Sequence, residues 1–325
     1  MRGGRRLPCA PRAALALSLL AALSAVASWS NPAFAFCRTR TCEFRNDVAC
    51  PEDPVTGCKQ AGEFIYWQTG CVPFAVQRDG SEDENISGQQ VAQLLEQGFR
   101  AWSSVSCAGG GSPAISTASQ GLIACDAVEF DCEAGEQNSN LVMFRDNFAT
   151  VDSGLRFSVI ALTTVTANLV SGQIFDADIE LNSRDENFSL TATSGSRRDL
   201  RGVINHELGH LLGLSHSNVA GSLMRASYEG TVEPADDDAE AMCLSFDTSG
   251  SDPACQVEQL PASAECLGSN TSCRTVSRSS AEPDSSGCAC RQARASDGGP
   301  GGWWWVAGLG LWLSRRKLRR AETML

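Results

Sequence analysis

Between Ser87 and Ser103 the apolar residues Val91, Leu94, Leu95, Phe99 and Trp102 recur at three- and four-residue steps, the stripe of an amphipathic helix. A second helical stretch is expected from about Asp199 to Leu212, with Val203, Ile204, Leu208, Leu211 and Leu212 available for burial. Shorter apolar runs read as strands: Phe64–Trp67, Val72–Val76, Leu141–Phe144, Phe157–Thr164 and Ile174–Asn182. The last of these alternates apolar and acidic residues, as a half-buried strand does. From about Asp247 onward Ser, Pro, Asp and Gly dominate, which predicts a disulfide-pinned extension and linker rather than a second large domain. No repeat of fixed period is visible, and one central domain over residues 62–247 is large enough for a single core.

Chemistry enters with the second helix. His206 to Ser217 reads HELGHLLGLSHS and holds all three histidines of the chain. His206 and His210 stand four apart, so a helix projects both imidazoles from one face. Glu207 is beside the first of them. Gly213 lets the chain leave the helix in a left-handed conformation that a Cβ would resist, returning His216 toward the same point. Three neutral imidazoles with one open position suit a catalytic zinc ion, whereas a structural site would be closed by a fourth protein ligand. A lone HExxH also occurs by chance on ordinary helices. The extended HExxHxxGxxH spacing in so histidine-poor a chain does not share that ambiguity.

The segment resembles the zinc signature of the metzincin metallopeptidases, and Ser217 after the third histidine resembles the matrixin branch. Gly221-Ser222-Leu223-Met224 lies where that family carries its Met-turn, which implies Met224 beneath the metal. Asp237 to Phe246 is similar to the acidic start of the matrixin C-terminal helix, and Phe99 to Val105 to the end of its first helix. The resemblance covers roughly residues 62 to 247. It implies an α+β, metzincin-like zincin domain: a twisted, mostly parallel sheet, two long helices, and a zinc cleft below the sheet edge. By the same likeness His206, His210 and His216 hold one catalytic Zn²⁺, Glu207 is the general base, and a peptide docks as an added strand on an edge formed by Val159 to Thr164. Side-chain specificity is then expected from a pocket wall between Val219 and Tyr228.

Two departures accompany the likeness. No further histidine is left for the second, structural zinc that matrixins often carry, and no Pro-Arg-Cys-Gly switch is present. Asp176, Asp178 and Glu180 alternate along one strand. They could help to bind Ca²⁺ through hard oxygen ligands, or they could simply form a solvated strand face.

The two ends bear on compartment. Arg2, Arg5, Arg6 and Arg12 precede an apolar run, Ala13 to Ala27, and Ala33-Phe34-Ala35 offers a small-x-small cleavage site. Residues 1–35 therefore read as a signal peptide, with cleavage after Ala27 or an uncleaved anchor as alternatives. Of fifteen cysteines, one falls in this leader and two (Cys288 and Cys290) in a tail motif, leaving an even twelve. Such a count at close spacing predicts up to six disulfides and an oxidising compartment, without fixing connectivity. Residues 36–61 form a short Cys-rich segment before the domain.

After the extension 248–286, the tail 287–325 carries Gly287-Cys288-Ala289-Cys290-Arg291, an apolar stretch around Trp303–Leu313, and Arg315 to Arg320. As a helix, Gly301–Leu313 spans about 20 Å against a bilayer core of about 30 Å. The arrangement resembles the myxobacterial C-terminal sorting signal, which implies a sorting peptidase cutting near Cys288, with transient membrane association through the short helix. A weak single-pass anchor is the alternative. Residues 36–290 hold 15 Lys and Arg against 36 Asp and Glu, a net of −21, which disfavours nucleic acid and anionic lipid as partners.

The sequence thus predicts an exported zinc endopeptidase acting on protein or peptide substrates, at the cell surface or released. Two other readings are a surface-displayed binding or matrix protein that uses the fold without catalysis, and a maturation protease for a single partner.

Overall fold

The computed structural model describes residues 35–45, 48–133, 138–146, 159–191, 197–248, 254–268 and 290–296. The expected leader up to residue 34, the Gly287–Cys288 cut site and the Trp303–Leu313 stretch lie outside the described residues.

Helix α1, Gly88–Ser103, forms where the apolar stripe predicts it. Ser87 caps it: its hydroxyl accepts from the Gln90 N–H, and the Gln90 carboxamide accepts from the Ser87 N–H. All five stripe residues are buried. Helix α2, Leu200–Leu211, starts at Asp199, whose carboxylate accepts from the Arg201 N–H. The two helices cross closely because Gly98 has no side chain; a Cβ there would stand 2.5 Å from Leu208 Cδ1. The third helix, α3, spans Asp236–Ser245.

Helices α1 and α2 pack on one face of a seven-stranded sheet. Its strands are β2 (Tyr66–Trp67), β3 (Phe74–Gln77), β4 (Ser119–Ile123), β5 (Leu141–Phe144), β6 (Ala161–Asn168), β7 (Gln173–Leu181) and β11 (Cys290–Ser296). The main order is β11-β6-β7-β5-β3-β4, with β2 also paired to β7. Pairings from β7 through to β4 are parallel, as is β2 with β7, while β6 and β11 are each antiparallel to their neighbour. This is the α+β, mostly parallel arrangement that the motifs imply. Small ladders add β1 (Cys37–Arg38) on β10 (Leu214–Ser215), and β8 (Asn187–Ser189) on β9 (Arg197–Asp199).

Three expectations need correction. The strand placed at Phe157–Thr164 is β6 at Ala161–Asn168, four residues later. Its first seven residues are all buried, so no alternation marks its limits. Strand β4 was not expected at all. The third correction concerns β7: Asp176, Asp178 and Glu180 do not form a solvated face but are buried. The second face of the sheet is covered by Val128, Leu260, Ala264 and the Cys125–Cys266 bridge. Residues past Asp247 contribute to that cover, with the Leu260 N–H on the Gln120 carbonyl and the Ala124 N–H on the Ala264 carbonyl.

Beneath this cover the acids are partly compensated. Asp178 accepts from the Leu141 and Glu129 N–H groups, and Arg145 pairs with Glu180 at 2.8 Å. Burial nevertheless pushes the Asp176 and Asp178 carboxyls well above the usual carboxylate range. The Asp178 charge adds to the rise at Asp176, and the two N–H donors oppose it at Asp178.

Five disulfides join described residues: Cys37–Cys58, Cys42–Cys50, Cys71–Cys255, Cys107–Cys243 and Cys125–Cys266. Cys132 is disulfide-bonded as well. The bridges from Cys71 and Cys125 tie the post-247 segment to the sheet, and Cys107–Cys243 ties α3 to the loop after α1. Among the described residues no helix is long and apolar enough to cross a membrane.

Candidate metal centre

The three histidines meet. His206 and His210 lie on consecutive turns of α2, and Gly213, at φ +99°, reverses the chain so that His216 joins them. Ring nitrogens of all three lie within 4.8 Å of one another. Nε2 of His210 is 3.1 Å from Nε2 of His206 and 3.2 Å from Nε2 of His216.

The outer nitrogens explain which atoms face inward. Nδ1 of His206 contacts the Leu223 carbonyl at 2.7 Å, and Nδ1 of His210 contacts the Leu214 carbonyl at 2.9 Å. A carbonyl oxygen only accepts, so Nδ1 carries the proton in both rings and Nε2 presents a lone pair. Neighbouring lone pairs about 3 Å apart repel unless a cation lies between them. Nitrogen–metal bonds of about 2.05 Å at tetrahedral angles place nitrogens about 3.3 Å apart, close to the spacing of these rings. The residues fit a zinc ion.

Glu207 is wholly buried. The Thr163 hydroxyl, on β6, donates to Glu207 Oε2 at 2.5 Å and thereby joins this strand to the carboxylate. Sequence reasoning missed Thr163, since only the packing of β6 on α2 brings it to Glu207.

Met224 is buried under the histidines' helix. A Cβ on Gly209 would stand 2.2 Å from Met224 Sδ and 3.1 Å from Trp102 Cζ2, so the glycine between His206 and His210 admits both side chains. The turn holding Met224 is fixed by Asp238. Its carboxylate accepts from the Ser222 hydroxyl and from the N–H groups of Leu223, Met224 and Ala235. Because Leu223 also supplies the carbonyl to His206, Asp238 reaches the metal centre through one residue. Ser217 donates to Asp237 at 2.6 Å, which anchors the chain just past His216 to α3.

Beside His206 opens a small cleft, lined among others by Ile160, Val203, Leu223 and Tyr228. The expected wall from Val219 to Tyr228 supplies only part of it; α2, Ile160, Glu229 and Thr231 supply the rest. Tyr228 is held by the Asp199 N–H on its hydroxyl and by Arg198 over its ring.

The sequence profile described as matrixin, of the peptidase M10 family, matches residues 66–244. Over 54 residues the chain is 48% identical to karilysin of Tannerella forsythia, a stretch that is 17% of this chain and 11% of karilysin. The chain thus spans about a tenth of that relative's length. The profile match extends over more than half of the chain, from the first sheet strand to α3, and the chain belongs to the matrixin family of metallopeptidases.

Proposed function

We propose that this chain is an exported, zinc-dependent endopeptidase. The observation that carries the reading is the convergence of three imidazole rings beside a buried carboxylate. In this reading His206, His210 and His216 hold the zinc, and Met224 supports them from below. Zinc bound there supplies Lewis acidity, polarising the scissile carbonyl and acidifying water at the open position.

The chain's own residues do the rest. Glu207 takes a proton on its carboxylate and delivers it to the leaving amine. The Thr163 hydroxyl keeps that carboxylate in one rotamer. A peptide in extended form pairs with the outer row of N–H and C=O groups of β6, which fixes its backbone whatever its sequence. One side chain enters the cleft by Val203 and Tyr228.

Export is supported by the leader-like N-terminus and by disulfides that an oxidising compartment preserves. The Gly-Cys motif, short apolar stretch and arginine cluster make the tail a candidate for cutting near Cys288 and for surface display or release. Intact histidines and Glu207 favour catalysis over a non-catalytic binding role.

Casein digestion with and without a chelator is the test, alongside Glu207→Ala. The reading expects chelator-sensitive digestion, and a variant that keeps its zinc while losing nearly all turnover. Full activity of Glu207→Ala would remove the general-base assignment. Turnover on one partner protein alone would select the maturation protease.

A further inference from the structure

Strand β6 is not open on its outer side: β11, from the far end of the chain, is paired along it. The register runs from Cys290 opposite Asn168 to Ser296 opposite Leu162, seven consecutive antiparallel pairs. This is the side on which the peptidase reading docks a substrate. We propose that Cys290–Ser296 is an intramolecular occupant of that edge, holding the enzyme latent by strand competition until the tail is detached or displaced. The proposal rests on β6 being the docking edge.

Position is the first support. Ala295 pairs with Thr163, the residue whose hydroxyl holds Glu207. The final residues of β11 therefore lie at the reacting end of β6 rather than at its remote end. Each outer N–H and C=O of β6 serves one ladder partner at a time, so an arriving peptide cannot pair over Leu162–Asn168 while β11 is there. β11 also runs beside the short 3-10 turn Thr41–Phe44, so it touches a second element of the chain besides β6.

The composition of the segment is the second support. CRQARAS has no β-branched or large apolar residue, so its strand form comes from pairing with β6 rather than from its own preference. Such a strand holds through backbone bonds and leaves when competed or cut. It carries two arginines and no acid, against an acidic chain, so charge favours its docking. The sequence has no Pro-Arg-Cys-Gly motif to hold the metal site closed. A cut near Cys288 would separate this strand from the domain, coupling tail processing to activation.

The test compares the full chain with a full-length Gln292→Pro, Ala293→Pro double variant. Adjacent prolines remove an N–H donor on whichever of the two residues faces β6. An intramolecular strand has an effective concentration of about 1 mM. If the free peptide binds at about 0.1 mM, the tail suppresses activity about tenfold. We expect the β6 amides between Leu162 and Asn168 that face β11 to exchange about tenfold faster in the variant, and turnover of a fluorogenic peptide to rise by a similar factor. A synthetic 290–296 peptide carrying Cys290→Ser should inhibit the variant competitively. Faster exchange with unchanged turnover overturns latency and leaves the peptidase reading standing. Unchanged exchange overturns the pairing itself. No turnover from either protein overturns the peptidase reading instead, and exchange still decides whether the tail holds the edge.

Discussion

Thr163 Oγ1 lies 2.5 Å from Glu207 Oε2, a hydrogen bond between the strand that would hold a peptide and the carboxylate that would move its proton. Both residues are buried, so water cannot replace the hydroxyl at no cost. Thr163→Val keeps the shape and removes the donor. A hydrogen bond to a charged group contributes about 1.5–3 kcal/mol. If it serves the reaction, kcat falls by roughly 10- to 100-fold with KM and zinc content little changed. Steady-state kinetics with metal analysis check this.

Asp238 is wholly buried and holds four donors around the Met224 turn. Asp238→Ala leaves the Leu223 and Ala235 N–H groups without this acceptor, while the Met224 N–H keeps the Ser222 hydroxyl. Each orphaned buried group costs about 1–3 kcal/mol, so a loss of at least about 2 kcal/mol is expected. Because Leu223 orients His206, zinc affinity should fall with stability. Urea unfolding and a chelator competition measure the two separately.

Gly209→Ala should destabilise the chain by about 1–3 kcal/mol through overpacking against Met224 and Trp102. Backbone freedom is not the cause, since Gly209 lies inside α2. The thermal midpoint of the variant checks this. A midpoint equal to that of the parent protein would mean that the methionine moves aside freely.

The buried acids predict a pH dependence. Asp176 has a folded-state pKa raised above its unfolded value, chiefly by burial. Folding therefore favours the protonated form. Its contribution is fully present below the unfolded value and is lost as pH rises through the folded one. Asp176→Asn should raise the melting temperature at pH 7–8, and the difference should vanish toward the unfolded carboxylate pKa of about 4. Calcium-free buffer is needed, since a bound cation would reverse the sign.

Helix α1 was legible because its burial is one-sided, whereas α2 is buried nearly all round and was legible through its cap and its histidine spacing. The stripe from Val91 to Trp102 and the Asp199 start of α2 match the structure to within about a residue. The HExxHxxGxxH spacing likewise brought its three rings to one point. What escaped was set by pairing or by cover. Ser119–Ile123 has few strand-forming residues and becomes β4 by lying beside β3. The acids of β7 read as a wet face because the segment that covers them arrives from beyond Asp247. Thr163 lies 44 residues from Glu207 in sequence and has no local signal linking them. Strand β11 has no strand pattern at all and exists only against β6.

Zinc content tests the central claim most directly. Elemental analysis of the purified, oxidised full chain should give one zinc per molecule, with a clear loss in His216→Ala. A chain with its disulfides formed and no stoichiometric transition metal, or a His216→Ala variant with undiminished zinc, would contradict it.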